Sequence, residues 1–535
     1  PRPFPDGGGF AYAVSQPEKE KRYPMSTSQI CILLTIVVYL VAMVLVGVYC
    51  SRKGGGDSSN EFYLGGRKLG PIVPAMSAEA SDMSSWLLMG LPGVAYLSGT
   101  ADAAWTAIGL AIGTYVNWLV VAKRLRNYTH VCGNSTTLPL FFSNRYRDNK
   151  RILSVIAALL IIIFFVPYTA SGFAACGKLF ANLFGMDYLP AMLISAIVIV
   201  AYTTLGGFLA ASTTDFVQSI VMTIAIVVVF GFGISKVGSF SAVMDNAKSM
   251  AGYFSLTHTH DVATGTASPY SLLQIFSTLA WGLGYFGMPH VLLRFMAIGD
   301  ANKLKLSRRV ATVWVVISMA VSVFIGVIGN AMTKAGVLPT LKDPETIILV
   351  VADLISKHGV LATIIAGLIL AGILAATMST ADSQLLAASS SASQNILKEV
   401  FMKDMSEKTG MLIARITVLV IALIGVFIAR NPDSSVFQIV SFAWAGFGAS
   451  FGPLVLLALF WKRSTFQGAL CGMVSGGVMV FVWKFLIRPM GGALGIYELL
   501  PAFLLGLAVN VIVSLLTPAP SREVQDEFDK VASMK

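Results

Sequence analysis

Two hydrophobic stretches of this chain carry side chains suited to binding an ion and a small polar solute. Ala80-Ser81-Asp82-Met83-Ser84-Ser85-Trp86, preceded by Glu79, lies in a segment from about Pro71 to Ser98. Thr377-Met378-Ser379-Thr380-Ala381-Asp382-Ser383 lies in one from about Val360 to Ser389. Hydroxyls and carboxylates inside hydrocarbon must find partners or serve a task. Neutral oxygens suit a hard cation that has to be released again. A third group, Trp281, Tyr285 and Pro289, is spaced by four residues and shares a face for as long as the helix holds. Indole and phenol faces suit a flat apolar solute with a polar end, and an ammonium can lie over such a ring. The local alternatives are ordinary: hydroxyls bonding back to carbonyls one turn earlier, and aromatic packing.

The elements that must position these groups are membrane helices. The chain is 56% hydrophobic and only 12% charged, about half the charge of a soluble domain. Apolar runs of about 20 residues recur along its length. We count thirteen spans, at about 28–50, 71–98, 102–122, 152–180, 187–205, 208–234, 271–298, 310–334, 358–389, 411–429, 435–461, 466–487 and 494–517. They make up a transmembrane domain over 25–517, followed by a tail over 518–535. Residues 1–24 are polar and rich in Gly and Pro, without the apolar core of a signal peptide. They are expected to be a disordered or non-native extension ahead of Met25.

The net charge of +11 does not point to nucleic acid, because the basic residues collect on one side of the proposed membrane. About 23 lie on that side, among them Arg67, Arg124, Arg145, Arg308 and Lys462, against about eight on the other. The positive-inside rule makes the first side cytoplasmic. With thirteen spans the N-terminus lies outside and the C-terminus inside. Cys31, Cys50, Cys132, Cys176 and Cys471 show no metal or disulfide spacing. His258-Thr-His260, in an outer segment, has no third ligand nearby in sequence. No phosphate-binding loop or paired catalytic set is present, so neither an ATP-driven motor nor a membrane enzyme is expected.

Helix breakers cluster in two spans. Span 2 carries Pro71, Pro74, Gly90, Pro92 and Gly93, and span 7 carries Gly282, Gly284, Gly287 and Pro289. These open two five-span groups, 2–6 and 7–11. Because five is odd, the second group enters from the opposite side, the pattern of inverted repeats with discontinuous first helices around a midplane site.

Five strings then carry a resemblance: Ala80-Ser-Asp-Met-Ser-Ser-Trp-Leu-Leu-Met-Gly-Leu-Pro-Gly93, Leu205-Gly-Gly-Phe-Leu-Ala210, Trp281-Gly-Leu-Gly-Tyr-Phe-Gly-Met-Pro-His290, Ala376-Thr-Met-Ser-Thr380 and Phe442-Ala-Trp-Ala-Gly-Phe-Gly-Ala449. Together they resemble the sodium:solute symporter family, closest to the bacterial sodium/proline symporters, along essentially all of the chain after Met25. The resemblance implies an all-α polytopic protein with a LeuT-like core of two inverted five-helix repeats. It implies one co-transported Na+ between spans 2 and 9, held by the carbonyls of Ala80, Met83 and Ala376 and the hydroxyls of Ser379 and Thr380. Asp82, Ser84, Gly90, Tyr168, Trp281, Tyr285 and Pro289 are the implied substrate positions. Asp215 is an expected sodium-exit residue or else a capping or paired one. Asp382 is a candidate for a second cation route. Glu79 is expected to pair with an Arg or Lys, or to titrate.

The function implied is secondary active uptake of L-proline with Na+ by alternating access, in the bacterial inner membrane. Pantothenate, another amino acid or a small carboxylate is the alternative cargo. Membrane lipid is the expected surrounding, with no nucleic acid and no obligatory protein partner.

Overall fold

The computed structural model describes residues 25–54, 64–203, 208–401 and 405–534. Residues 1–24 and Leu205-Gly206-Gly207, both singled out in the sequence, lie outside the described residues. Among the described residues, nine helices are long and apolar enough to cross a bilayer. Three shorter apolar helices and the interrupted segment 72–98 bring the spans to thirteen. The expected boundaries hold to within about six residues except at two ends on the basic side. Span 3 runs on to Val131 and span 9 continues through Ser391–Phe401.

Hydroxyl caps start many of these helices where the chain leaves a loop. Ser271, Thr137, Ser239, Ser406, Ser435 and Thr465 each accept a backbone N–H near the start of the following helix. At Ser271, Gln274 reciprocates in a capping box, which satisfies donors that the helix cannot.

Both five-span groups open on a broken helix. Span 2 is helical over Ile72–Ser85, breaks at Ser84 (φ 43°, ψ −172°), winds through Trp86–Gly90 and ends as Leu91–Ser98. Span 7 is helical over Leu272–Leu279, tightens over Ala280–Phe286, extends at Met288 and restarts as Pro289–Ala297. Span 9, Val360–Ser390, packs against spans 1, 2, 4 and 6 at the centre of the molecule. Spans 1 and 10 stand at the rim, where Val38 and Leu423 are exposed as lipid-facing residues should be.

The segments on the side opposite the basic loops hold the helices Phe240–Ser249 and Ile347–Ser356 and a hairpin pairing His258–His260 with Ala267–Pro269. On the basic side, Arg522–Ser533 forms an amphipathic helix that packs Val524, Phe528 and Val531 against the protein.

Candidate functional site

The break in span 2 faces span 9. The Ser379 hydroxyl donates to the Ala80 carbonyl at 2.8 Å and lies 3.2 Å from the Ala376 carbonyl. Thr380 Oγ1 donates to the same Ala376 carbonyl at 3.0 Å. Four of the five expected ion ligands therefore meet in one buried contact. The local alternative is present too, since both hydroxyls bond back along their own helix. The fifth, the Met83 carbonyl, accepts the Trp86 N–H beyond the break. Ser84 holds the break open by accepting the Trp86 N–H on its hydroxyl at 3.0 Å. A non-glycine residue at positive φ costs about 1–3 kcal/mol and persists only where its surroundings enforce it.

Two residues beyond Ala80, Asp82 joins the two broken spans. Its Oδ2 accepts from the Tyr285 hydroxyl at 2.6 Å, and its backbone carbonyl accepts from the Tyr168 hydroxyl at 2.8 Å. Trp281 lies in an aromatic box. Its ring centroid is 5.4 Å from Trp86, 5.5 Å from Phe437, 6.2 Å from Trp444 and 5.1 Å from Tyr497. The Trp444 indole donates to the Trp281 carbonyl at 2.8 Å. Gly90 lies against Trp86 and Phe437, where a side chain would crowd both. Pro289 starts the second half of span 7 and is buried.

Glu79 departs from its expected pairing with an Arg or Lys. It is buried, and its Oε1 accepts from the Trp118 indole at 3.1 Å. Asp215 is paired: Arg294 Nη2 lies 3.0 Å from it, and Ser77 donates to it at 2.7 Å. Arg294 also donates to Ser77, Ser383 and the His290 carbonyl. Asp382 joins the group through Ser383 at 3.3 Å. Beyond Arg294 and Ser383, a small hollow is lined by Thr136, Thr137, Phe208 and Ser390.

On the side opposite the basic loops, Glu345 accepts from Val436 N, Phe437 N and Ser435 Oγ at 2.8–3.0 Å and pairs with Lys178 at 2.8 Å. The start of span 11 is thereby pinned with Phe437 over Trp86 and Trp281.

The sequence reading missed Trp86, Phe437, Trp444 and Tyr497 as members of one box, and it missed Arg294 and Trp118. Arg294 had a signal, because an arginine inside a hydrophobic span requires a partner. Tyr497 had none, since it follows a loop between peripheral spans.

Comparison with known proteins agrees with this geometry. Residues 62–476 match the model of the sodium:solute symporter family. The osmoregulated proline transporter of Bacillus subtilis is 40% identical over 492 residues, covering 92% of this chain and 96% of that protein. A sodium/proline symporter of Staphylococcus aureus is 40% identical over 504 residues, covering 93% and 95%. Among solved structures, a Na+-coupled sialic acid symporter in a substrate-bound outward-open state superposes with a TM-score of 0.75 at 19% identity, covering 92% of this chain and 99% of that one. Mhp1, a nucleobase-cation-symport-1 family transporter, gives 0.52 at 13% identity, covering 88% and 98%. These two are likenesses of fold. With a broken span 2, a hydroxyl-bearing span 9 and a family match across most of its length, this chain belongs to the sodium:solute symporter family.

Proposed function

We propose that the chain takes up L-proline together with Na+ by alternating access, through a multi-pass fold in the bacterial plasma membrane. Its basic loops and tail face the cytoplasm and its N-terminus faces outward. The observation that carries the reading is the contact of Ser379 with the Ala80 carbonyl, two residues along span 2 from the Asp82–Tyr285 bond. It brings neutral oxygens of spans 2 and 9 together. The names of the two relatives at 40% identity support proline as the cargo.

In this reading Na+ enters from outside and is held by Ala80, Met83, Ala376, Ser379 and Thr380. By bridging spans 2 and 9 it sets the position of Asp82 and Tyr285. The proline ring lies against Trp281 and its neighbours, and its ammonium faces Asp82 and the rings. Its carboxylate meets the unpaired amides at the break of span 7, where Pro289 restarts the helix. Closure of Phe437 over the box seals the outer side, and Na+ leaves past Ser383, Asp215 and Asp382. One charge crossing 100 mV yields about 2.3 kcal/mol, and a tenfold gradient adds about 1.4 kcal/mol.

Uptake of labelled proline into proteoliposomes under an imposed Na+ gradient tests the reading. Accumulation should require Na+, and equal uptake with K+ in its place rejects the coupling. Competition by a panel of pantothenate, other amino acids and small carboxylates tests the cargo.

A further inference from the structure

Spans 12 and 13 stand outside the two five-span groups, yet they reach the aromatic box. Span 12, Phe466–Val482, winds on through Trp483–Ile487, and span 13 is Leu499–Leu516. The two pack on each other and on span 11. Their connection folds back on span 12, where the Trp483 indole donates to the Ile496 carbonyl at 3.2 Å. Glu498 is fully buried, accepts from Arg488 at 2.8 Å and lies 3.5 Å from Lys484. Breaking such a buried pair is costly, so the entry to span 13 is fixed.

Tyr497, the residue before that anchor, is held at three points. Its N–H donates to Ser277 Oγ on span 7 at 2.8 Å, and its hydroxyl donates to the Ser441 carbonyl on span 11 at 2.6 Å. Its ring stacks on Trp281, with centroids 5.1 Å apart and planes at 21°. Stacking is favourable for two such rings, and the phenol tip has its acceptor. Trp86 and Phe437, two other neighbours of the indole, stack on each other at 5.8 Å. Among the described residues, Tyr497 makes its ring contact with Trp281 and with neither of these. Trp281 therefore separates Tyr497 from that pair. Span 13 is closely seated at this point. Leu499 lies against Gly448 where span 11 crosses Gly284, and a methyl at Gly448 would overlap both.

We propose that Tyr497 is a positioning residue for the solute, acting through Trp281, and that spans 12 and 13 thereby set the ring size the pocket accepts. In the reading above the indole faces the solute, and Tyr497 keeps it from withdrawing. The space beside the indole then stays matched to a five-membered ring. With Tyr497 cut short, the freed volume lies next to the indole, which can shift into it. A solute with one more methylene then fits. In an apolar pocket one methylene is worth about 10- to 200-fold in discrimination. The inference rests on the proline reading and deepens it by naming what limits the cargo.

The test compares Na+-driven uptake of proline and of its six-membered homologue, piperidine-2-carboxylate, in proteoliposomes. Tyr497→Ala should lower the ratio of kcat/KM for proline to that for the homologue at least about tenfold. The KM for proline should rise while that for the homologue falls. Tyr497→Leu, which leaves the site apolar and partly filled, should shift the ratio the same way by less. Should Tyr497→Ala not fold, Tyr497→Leu carries the comparison. Tyr497→Phe keeps the ring and should keep the native ratio. The half-saturating Na+ concentration, measured at saturating solute, should stay native in all three. A parallel loss for both solutes, with the ratio unchanged, overturns the assignment and leaves proline symport intact. So does a shift in Tyr497→Phe as large as that in Tyr497→Ala. Absence of Na+-driven proline uptake by the native chain overturns the proline reading and this inference with it.

Discussion

In the proposed reading, Ser379 and Thr380 hold the ion with two hydroxyl groups and no charge. Replacing either by alanine removes one oxygen and leaves the aromatic box untouched. Each variant should raise the half-saturating Na+ concentration of uptake by about 10- to 100-fold, and Trp281→Ala should instead raise that for proline. Kinetic titration of both solutes separates the two effects. Arg294 presents a different balance. Its guanidinium satisfies Asp215, Ser77, Ser383 and a carbonyl at once. Removing one member of a buried pair costs about 3–5 kcal/mol, because the partner stays charged and buried. Arg294→Ala should therefore lower the melting temperature of the purified protein substantially. Arg294→Lys should recover only part of the loss, since an ammonium cannot reproduce the fork.

At the scale of elements, the proposed reading gives control of access to the broken spans and the start of span 11. Glu345 fastens that start through two backbone N–H groups and a hydroxyl while holding Lys178. Without its carboxylate, the first turn of span 11 loses its anchor and Phe437 is freed from Trp86 and Trp281. Glu345→Ala should shift the population toward outward-open forms. A cysteine placed at 437 should then react faster with a membrane-impermeant thiol reagent from outside, and an unchanged rate rejects the anchor. The close approach of spans 3 and 7 sets the other limit on movement. Gly113 and Gly282 let the two backbones touch, and a methyl at either would overlap the other's chain.

Across the whole molecule, the C-terminal helix ties together parts that belong to different spans. Phe528 lies under the guanidiniums of Arg124 and Arg145 and edge-on to Tyr128. Arg147 pairs with Glu523 and Glu527, and Lys462 pairs with Asp529. Most of these side chains are partly exposed, and exposed ion pairs contribute about 0–1 kcal/mol each. The buried ring matters more, about 1.5–3 kcal/mol when fully covered. Phe528→Ala should thus loosen the helix, read as faster proteolysis of residues 522–535, and Glu523→Ala should have little effect. Na+ dependence of uptake should survive in both.

Composition, hydrophobic run length and the bias of basic loops were enough to establish thirteen membrane helices, because the bilayer imposes length and internal backbone pairing on any span. The breaks in spans 2 and 7 were legible from Gly and Pro, and the resemblance pointed to Ser379 and Ala80, which the structure brings within 2.8 Å. What the folded chain alone decided is which side chains share a neighbour across long sequence distances. Tyr497 reaches Trp281 from a peripheral loop. Arg294 answers Asp215 from another repeat, and Glu79 meets an indole rather than a cation. Helical periodicity reports which face a residue occupies. It carries no record of the neighbour against which that face is packed.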